Sequence, residues 1–276
     1  MTFAYQRSYR GPLKAVIFDW AGTVVDYGSQ APVSVFIKLY ESRGVPITLA
    51  EARGPMGTHK KVHIRQVSQL PSVVERWEAV HQRPPNEEDV EAMFQEAIKL
   101  QVACLPDYAD PIPGALETVA ECRRRGMKIG STTGYTREMT EVLQVEAKKR
   151  GYEPDSTVCA SDVPEARPAP WMSLLSAQQM GVYPLEAIVK VDDTIPGIDE
   201  GLNAGMWTVA LAKSGNELGL NEQEIAALAP EELQSRLTRA YARMNQAGAH
   251  YVIDGIWELP RILDAINERL ARGERP

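Results

Sequence analysis

Cysteine is scarce in this chain, with three residues, Cys104, Cys122 and Cys159, in a length of 276. They are isolated, odd in number and without zinc-ligand spacing, which argues against a disulfide framework and fits reduced thiols, buried as small core residues, in a cytoplasmic protein. Long apolar runs are missing as well. No stretch approaches the roughly 18 residues of a membrane span. The apolar run nearest the beginning, Ala15 to Phe18, is four residues long and leads into an acid. Neither a membrane helix nor a secretory leader is expected. Positive charge is in the minority, since 30 Lys and Arg against 37 Asp and Glu give a formal charge of −7. That field repels nucleic acid and anionic lipid, so neither is an expected partner, and an anionic small molecule needs a local cationic pocket. The remainder is ordinary for a globular protein, with 44% hydrophobic and 24% charged residues, enough to bury a sizeable core in one large or two modest domains.

Short apolar runs at Ala15–Phe18, Met127–Thr132, Thr157–Cys159, Ala187–Val191 and Trp207–Leu211 read as buried strands. Helical patterns at about Pro113–Arg125, Arg137–Arg150, Pro170–Met180 and Gly197–Ala204 lie between most of them, and Gly126, Gly151, Gly181 and Gly205 stand where helices end. This alternation predicts an α/β fold, a doubly wound parallel sheet with helices on both faces, whose ligands gather at the carboxyl ends of the strands. The segment from Tyr27 to about Pro106 departs from it and reads as almost purely helical. Val33, Phe36, Ile37 and Tyr40 form an i, i+3, i+4, i+7 stripe, which suits either an interface between copies or the segment's own core. Thr48 with Glu51, and Ser72 with Glu75, have capping-box spacing, and Asn86 precedes three acids that suit a helix start. The expected organisation is a core of residues 1–27 and 107–276 interrupted by a helical domain at 28–106. The tail reads as helices with a late strand at Ala249–Ile253.

Four loops after strands carry candidate chemistry. Asp19, in Phe18-Asp19-Trp20-Ala21-Gly22-Thr23, offers a hard-oxygen metal ligand and a usable nucleophile. Thr133 and Gly134 offer a hydroxyl and an unhindered backbone N–H for phosphate oxygens. Arg167 brings a cation, and Asp192-Asp193 bring adjacent carboxylates. Each has a bland alternative as turn, helix cap or surface charge. Their occurrence in order, all after strands, resembles the four motifs of the haloacid dehalogenase superfamily, and the early helical insertion resembles its type-1 cap domain. The resemblance implies that Asp19 is the nucleophile and a Mg²⁺ ligand, that Thr133 and the following N–H bind the transferring group, and that Arg167 stabilises charge. It puts Asp193 in the direct metal position with Asp192 supporting it.

Position 21 separates substrate classes. Phosphatases and mutases of the superfamily usually carry a second Asp two residues after the nucleophile to protonate a departing alkoxide. Here it is Ala21, whose carbonyl can still ligate Mg²⁺ by that resemblance. A carbon leaving group needs no such acid if an imine absorbs its electrons. Lys60, in Pro55-Met56-Gly57-Thr58-His59-Lys60-Lys61-Val62-His63, stands near a helix start, with His63 following it at i+3. Attack as an amine requires a lowered pKa, and Lys61, Arg65, the positive helix end and desolvation all push that way.

With Ala21, the Pro-Met-Gly-x-x-Lys segment, Gly130 to Met139 and Arg167 to Met172, the chain resembles the phosphonatase family along essentially its whole length. That resemblance implies hydrolysis of phosphonoacetaldehyde to acetaldehyde and phosphate, through a Lys60 Schiff base and an Asp19 aspartyl-phosphate, in 2-aminoethylphosphonate degradation. It also implies a homodimer, and it matches Met56, His63 and Tyr135 to positions lining the site. A phosphate monoester phosphatase or phosphomutase keeps the fold but predicts an acid at position 21. A non-catalytic binding protein has no reason to keep Asp19, Thr133, Arg167 and Asp193 together.

Overall fold

The computed structural model describes residues 8–276, so the first residues weighed against a leader lie partly outside those described. Among the described residues six strands form one sheet: β1 Ala15–Phe18, β2 Lys128–Thr133, β3 Ser156–Cys159, β4 Ile188–Asp192, β5 Trp207–Leu211 and β6 Tyr251–Ile253. All neighbours are parallel, in the order β3-β2-β1-β4-β5-β6. The strands stay within a residue or two of the expected runs, because parallel strands covered on both faces read as continuous apolar segments. β1 is fully buried at the centre. It is flanked by β2 and β4, and the winding reverses beside it, opening a crevice at the carboxyl ends of these three strands.

Between β1 and β2 the chain forms α1 Gln30–Glu41, α2 Leu49–Arg53, α3 Lys60–Ser68, α4 Pro71–His81 and α5 Glu87–Cys104. These helices share a core of their own that includes Val33, Phe36, Tyr40, Ile64, Trp77 and Met93. The apolar stripe of α1 therefore faces inward, with Ile37 at its margin. Capping boxes form at Thr48 with Glu51 and at Asn86 with Asp89. The one expected at Ser72 does not. Pro71 occupies the first turn of α4, Leu70 precedes it, and the Ser72 hydroxyl donates to Glu51 instead. Proline suits that first position because its missing N–H has no partner there anyway.

The rest of the chain supplies α6 Ala115–Arg124, α7 Arg137–Lys149, α8 Trp171–Met180, α9 Ile195–Asn203, α10 Glu222–Ala227, α11 Pro230–Gln246 and α12 Leu259–Ala271. They sandwich the sheet, and the largest cluster joins Phe18, Trp20, Ile129, Val191 and Trp207 to α6, α7 and α12. Cys122 and Cys159 are buried, whereas Cys104, expected in the core, is half-exposed at the end of α5. That helix end abuts the short 3₁₀ turn Leu105–Tyr108 and leaves the thiol partly open.

Candidate active site

At the carboxyl ends of β1, β2 and β4 the structure gathers Asp19, Thr133, Asp192 and Asp193, all buried. The Asp19 backbone N–H donates to Val191, which seats the carboxylate beside the end of β4. Carboxyl oxygens of Asp19, Asp192 and Asp193 lie within 4.8 Å of one another. Arg167 enters from the loop before α8, with Nη2 at 2.7 Å from Asp19 Oδ1 and 3.2 Å from Asp192 Oδ2, and Nε at 2.8 Å from Glu200 Oε2. Lys190, buried within β4, pairs with Asp192 at 2.9 Å and with Glu200 at 3.5 Å. Glu200, on the inward face of α9, also accepts from Ser173 and Thr132.

The two acids of β4 are not equivalent. Asp192 Oδ1 accepts from the Thr194 N–H and hydroxyl, and its Oδ2 is ion-paired with Arg167 and Lys190. Burial pushes its pKa up, yet Arg167 and Lys190 prevail and hold it below the ordinary carboxylate range. Among the described residues Asp193 has neutral donors only, the Asn216 N–H at 2.7 Å and the Thr23 hydroxyl at 3.2 Å. Burial and the charges of Asp19 and Asp192 push it well above that range, and Asp19, raised mainly by burial, reaches about 6. Four buried carboxylates thus face two buried cations within the cluster. The donor set is hard oxygen, and three carboxylates gathered this closely suit a divalent cation, which would restore their charged forms. The surrounding backbone is fitted to the Asp193 carboxylate. A Cβ on Gly22, whose φ is +85°, would stand 2.1 Å from Asp193 Oδ2.

The helical segment closes over this edge. Lys60 opens α3 and His59 precedes it, accepting from the Lys61 N–H. The Lys60 side chain points into a cavity of about 20 Å³ that Asp19, Ala21, Met56, Thr133, Tyr135 and Arg167 also line. That is room for about one water. Nζ lies 4.8 Å from the Tyr135 ring centroid and 5.5 Å from that of Phe36. Burial lowers the amine to about 8, with Asp19 opposing the shift and Arg167 adding to it. Lys61 and Arg65, expected to contribute, pair instead with Glu91 and Glu87 of α5 on the outer side. His63 is buried, stacked on Phe36 at 3.9 Å, with Nε2 2.9 Å from the Ala52 carbonyl oxygen and Nδ1 without a partner. Gly134 approaches the helical segment so closely that a Cβ there would lie 2.6 Å from the Thr58 carbonyl oxygen.

Asp19, Ala21, Met56, Lys60, Thr133, Gly134, Tyr135 and Arg167 line this cavity, with Asp192 and Asp193 beside Asp19 and His63 stacked behind on Phe36, whereas Lys61 and Arg65 do not reach it. Sequence reasoning missed Lys190 and Glu200, which form the buried charge layer beneath Arg167, and Thr23 and Asn216, which hold Asp193. A lysine between two valines of a buried strand was the available signal for the first. The others depend on tertiary placement.

The haloacid dehalogenase-like hydrolase family matches residues 13–205. A phosphonoacetaldehyde hydrolase of Syntrophobacter fumaroxidans is 49% identical over 274 residues, covering 99% of each chain. One of Hahella chejuensis is 46% identical, covering 100% of this chain and 94% of its own. The crystal structure of a phosphonoacetaldehyde hydrolase-like protein from Oleispira antarctica superposes with a TM-score of 0.97, at 41% identity and over the full length of both chains. The chain belongs to the haloacid dehalogenase-like hydrolases and, within them, to the phosphonoacetaldehyde hydrolase family.

Proposed function

We propose that this enzyme hydrolyses the C–P bond of phosphonoacetaldehyde to acetaldehyde and phosphate, using Lys60 and Asp19 as two separate covalent anchors. The observation that carries the reading is a buried amine of lowered pKa facing the same cavity as a buried carboxylate, with Ala21 where an ester hydrolase needs an acid. Lys60 condenses with the aldehyde and releases water. Asp19 then attacks phosphorus, the C–P bond breaks, and its electron pair moves into the protonated imine to give an enamine. One water hydrolyses the aspartyl-phosphate. Protonation of the enamine carbon and a second water free acetaldehyde and Lys60, so the net consumption is one water.

Arg167 neutralises charge on the phosphonate and orients Asp19, while Thr133 and the Gly134 N–H hold phosphonate oxygens. Met56 and Tyr135 enclose the carbon arm. His63, whose bare Nδ1 accepts when Nε2–H donates to Ala52, handles water or a proton beside the imine. Asp19, Asp193 and the Ala21 carbonyl would hold Mg²⁺, with Asp192 in support, and the ion when bound draws charge from the phosphonate oxygens. We take residues 28–106 as the mobile cap, since Lys60 and Asp19 must meet one substrate. The reading includes a cytoplasmic homodimer serving 2-aminoethylphosphonate degradation. Incubation with phosphonoacetaldehyde and Mg²⁺, assayed for both products beside a panel of phosphate esters, tests it. Turnover of esters without C–P cleavage would replace it with a phosphatase.

A further inference from the structure

We infer that Arg53 is a positioning residue that locks the Lys60-bearing segment to the loop holding Asp193, so that closure of the helical segment and metal affinity rise and fall together. The inference rests on the proposed two-anchor site. Arg53 ends α2, seven residues before Lys60, and is half-buried. Its Nη1 donates to the Gly28 carbonyl at 3.0 Å and to Asn216 Oδ1 at 3.2 Å, and its Nη2 donates to the Gly219 carbonyl at 2.9 Å. A weaker contact, at 3.4 Å, reaches the Ser29 carbonyl. One guanidinium thus joins α2, the strap into α1 and the loop after β5.

That loop is where Asp193 finds its shortest partner. The Asn216 N–H, on the same residue whose side chain Arg53 grips, donates to Asp193 Oδ2. A Cβ on Gly215 would stand 2.1 Å from the Asp193 Cβ, so the loop backbone packs directly against the acid. The strap is tied in as well, because the Gly28 N–H donates to the Ser214 carbonyl and the Ser214 hydroxyl reaches the Gly22 carbonyl. A planar fork suits this task, since a lysine ammonium cannot reach carbonyls in several directions from one rigid group. Coupling of this kind is reciprocal: whatever favours closure tightens the metal, and the metal favours closure.

The test uses the full chain and Mn²⁺ as a paramagnetic probe, titrated without substrate, with hydrogen exchange followed at residues 53–60 and 214–219. In Arg53→Met, Mn²⁺ should bind roughly tenfold more weakly, as removing outer partners of metal ligands commonly does. Amide protection should fall in both segments together. Arg53→Lys, which keeps charge and stem, should show the same signs and serves if the first variant does not fold. Mn²⁺ affinity within twofold of the parent in a folded variant, or loosening of one segment alone, overturns the inference. Borohydride trapping of phosphonoacetaldehyde on Lys60 of the parent is run alongside. Its absence would sink the two-anchor reading while the Mn²⁺ and exchange results still judge the link between the segments.

Discussion

Lys60 Nζ lies over the ring of Tyr135, 4.8 Å from its centroid, so an amine delivered by the helical segment rests on an aromatic face delivered by the sheet. The contact buries the amine more than it feeds it with hydrogen bonds, and burial is what brings its pKa to about 8. The neutral form therefore becomes abundant more than two units below the 10.5 of a free lysine. Borohydride trapping of the aldehyde should rise through pH 8 and level off by about pH 9. In Lys60→Arg both the trapped adduct and C–P cleavage should vanish. An adduct mapped by mass spectrometry to any other lysine would contradict the assignment.

The same shift predicts a stability effect whose sign can be checked. A lysine with a lowered folded pKa binds fewer protons folded than unfolded between pH 8 and 10.5, so the parent gains stability as pH rises across that window. Below it, the charged buried amine costs the fold on the order of 3 kcal/mol. Lys60→Met should be the more stable protein at pH 7, and its advantage should disappear above pH 10.5. Urea denaturation at the two pH values measures this.

Asp19→Ala should lose phosphate release on the order of 10⁴-fold or more, as removal of a nucleophile does. Trapping on Lys60 should survive, because the amine's burial does not depend on that carboxylate. Loss of both functions in a folded variant would show that the two anchors are not separate.

Arg167→Ala should lower kcat by about 10²- to 10³-fold, the range for removing a preorganised charge-stabilising donor. Arg167→Lys should fail to rescue it, since Nε and Nη2 address Glu200 and Asp19 at once. Glu200→Ala leaves Arg167 and Lys190 short of a buried counter-charge and should cost about 3–5 kcal/mol in unfolding free energy. Kinetics for the arginine pair and chemical denaturation for Glu200→Ala separate the two expectations.

Gly134→Ala puts a methyl 2.6 Å from the Thr58 carbonyl oxygen, too close for the two backbones to keep this approach. The variant should fold with a melting temperature near the parent's, yet show a raised KM and a lowered kcat because the segments no longer meet. Parent-like kinetics would mean that closure this tight is not required.

The central strand was legible residue for residue, Ala15 to Phe18, because it is apolar and covered on both faces. The first helix was not. Its apolar stripe from Val33 to Tyr40 does not show where it starts, and α1 begins at Gln30 because the Asp26 carboxylate reaches forward and accepts from the N–H groups of Gln30 and Ala31. That reach needs left-handed backbone at Asp26 and Ser29, which no periodicity announces. The motif residues were visible because each ends a strand or lies in the loop after one. The charge layer beneath them was hidden, since Lys190 and Glu200 sit on different elements and only packing brings them to 3.5 Å. Lys61 and Arg65 misled for the opposite reason. They neighbour Lys60 in sequence, but helix geometry turns them outward to the acids of α5.

The narrow space beside Asp19 holds about one water, far less than a tetrahedral phosphonate with its two-carbon arm. If residues 28–106 move as the proposed cap, substrate enters once they lift, and bulk solvent drag acts on every turnover in which that motion limits the rate. Thickening the medium with sucrose would then slow the enzyme in step with microviscosity, while single-turnover bond cleavage on substrate already bound would be indifferent to it.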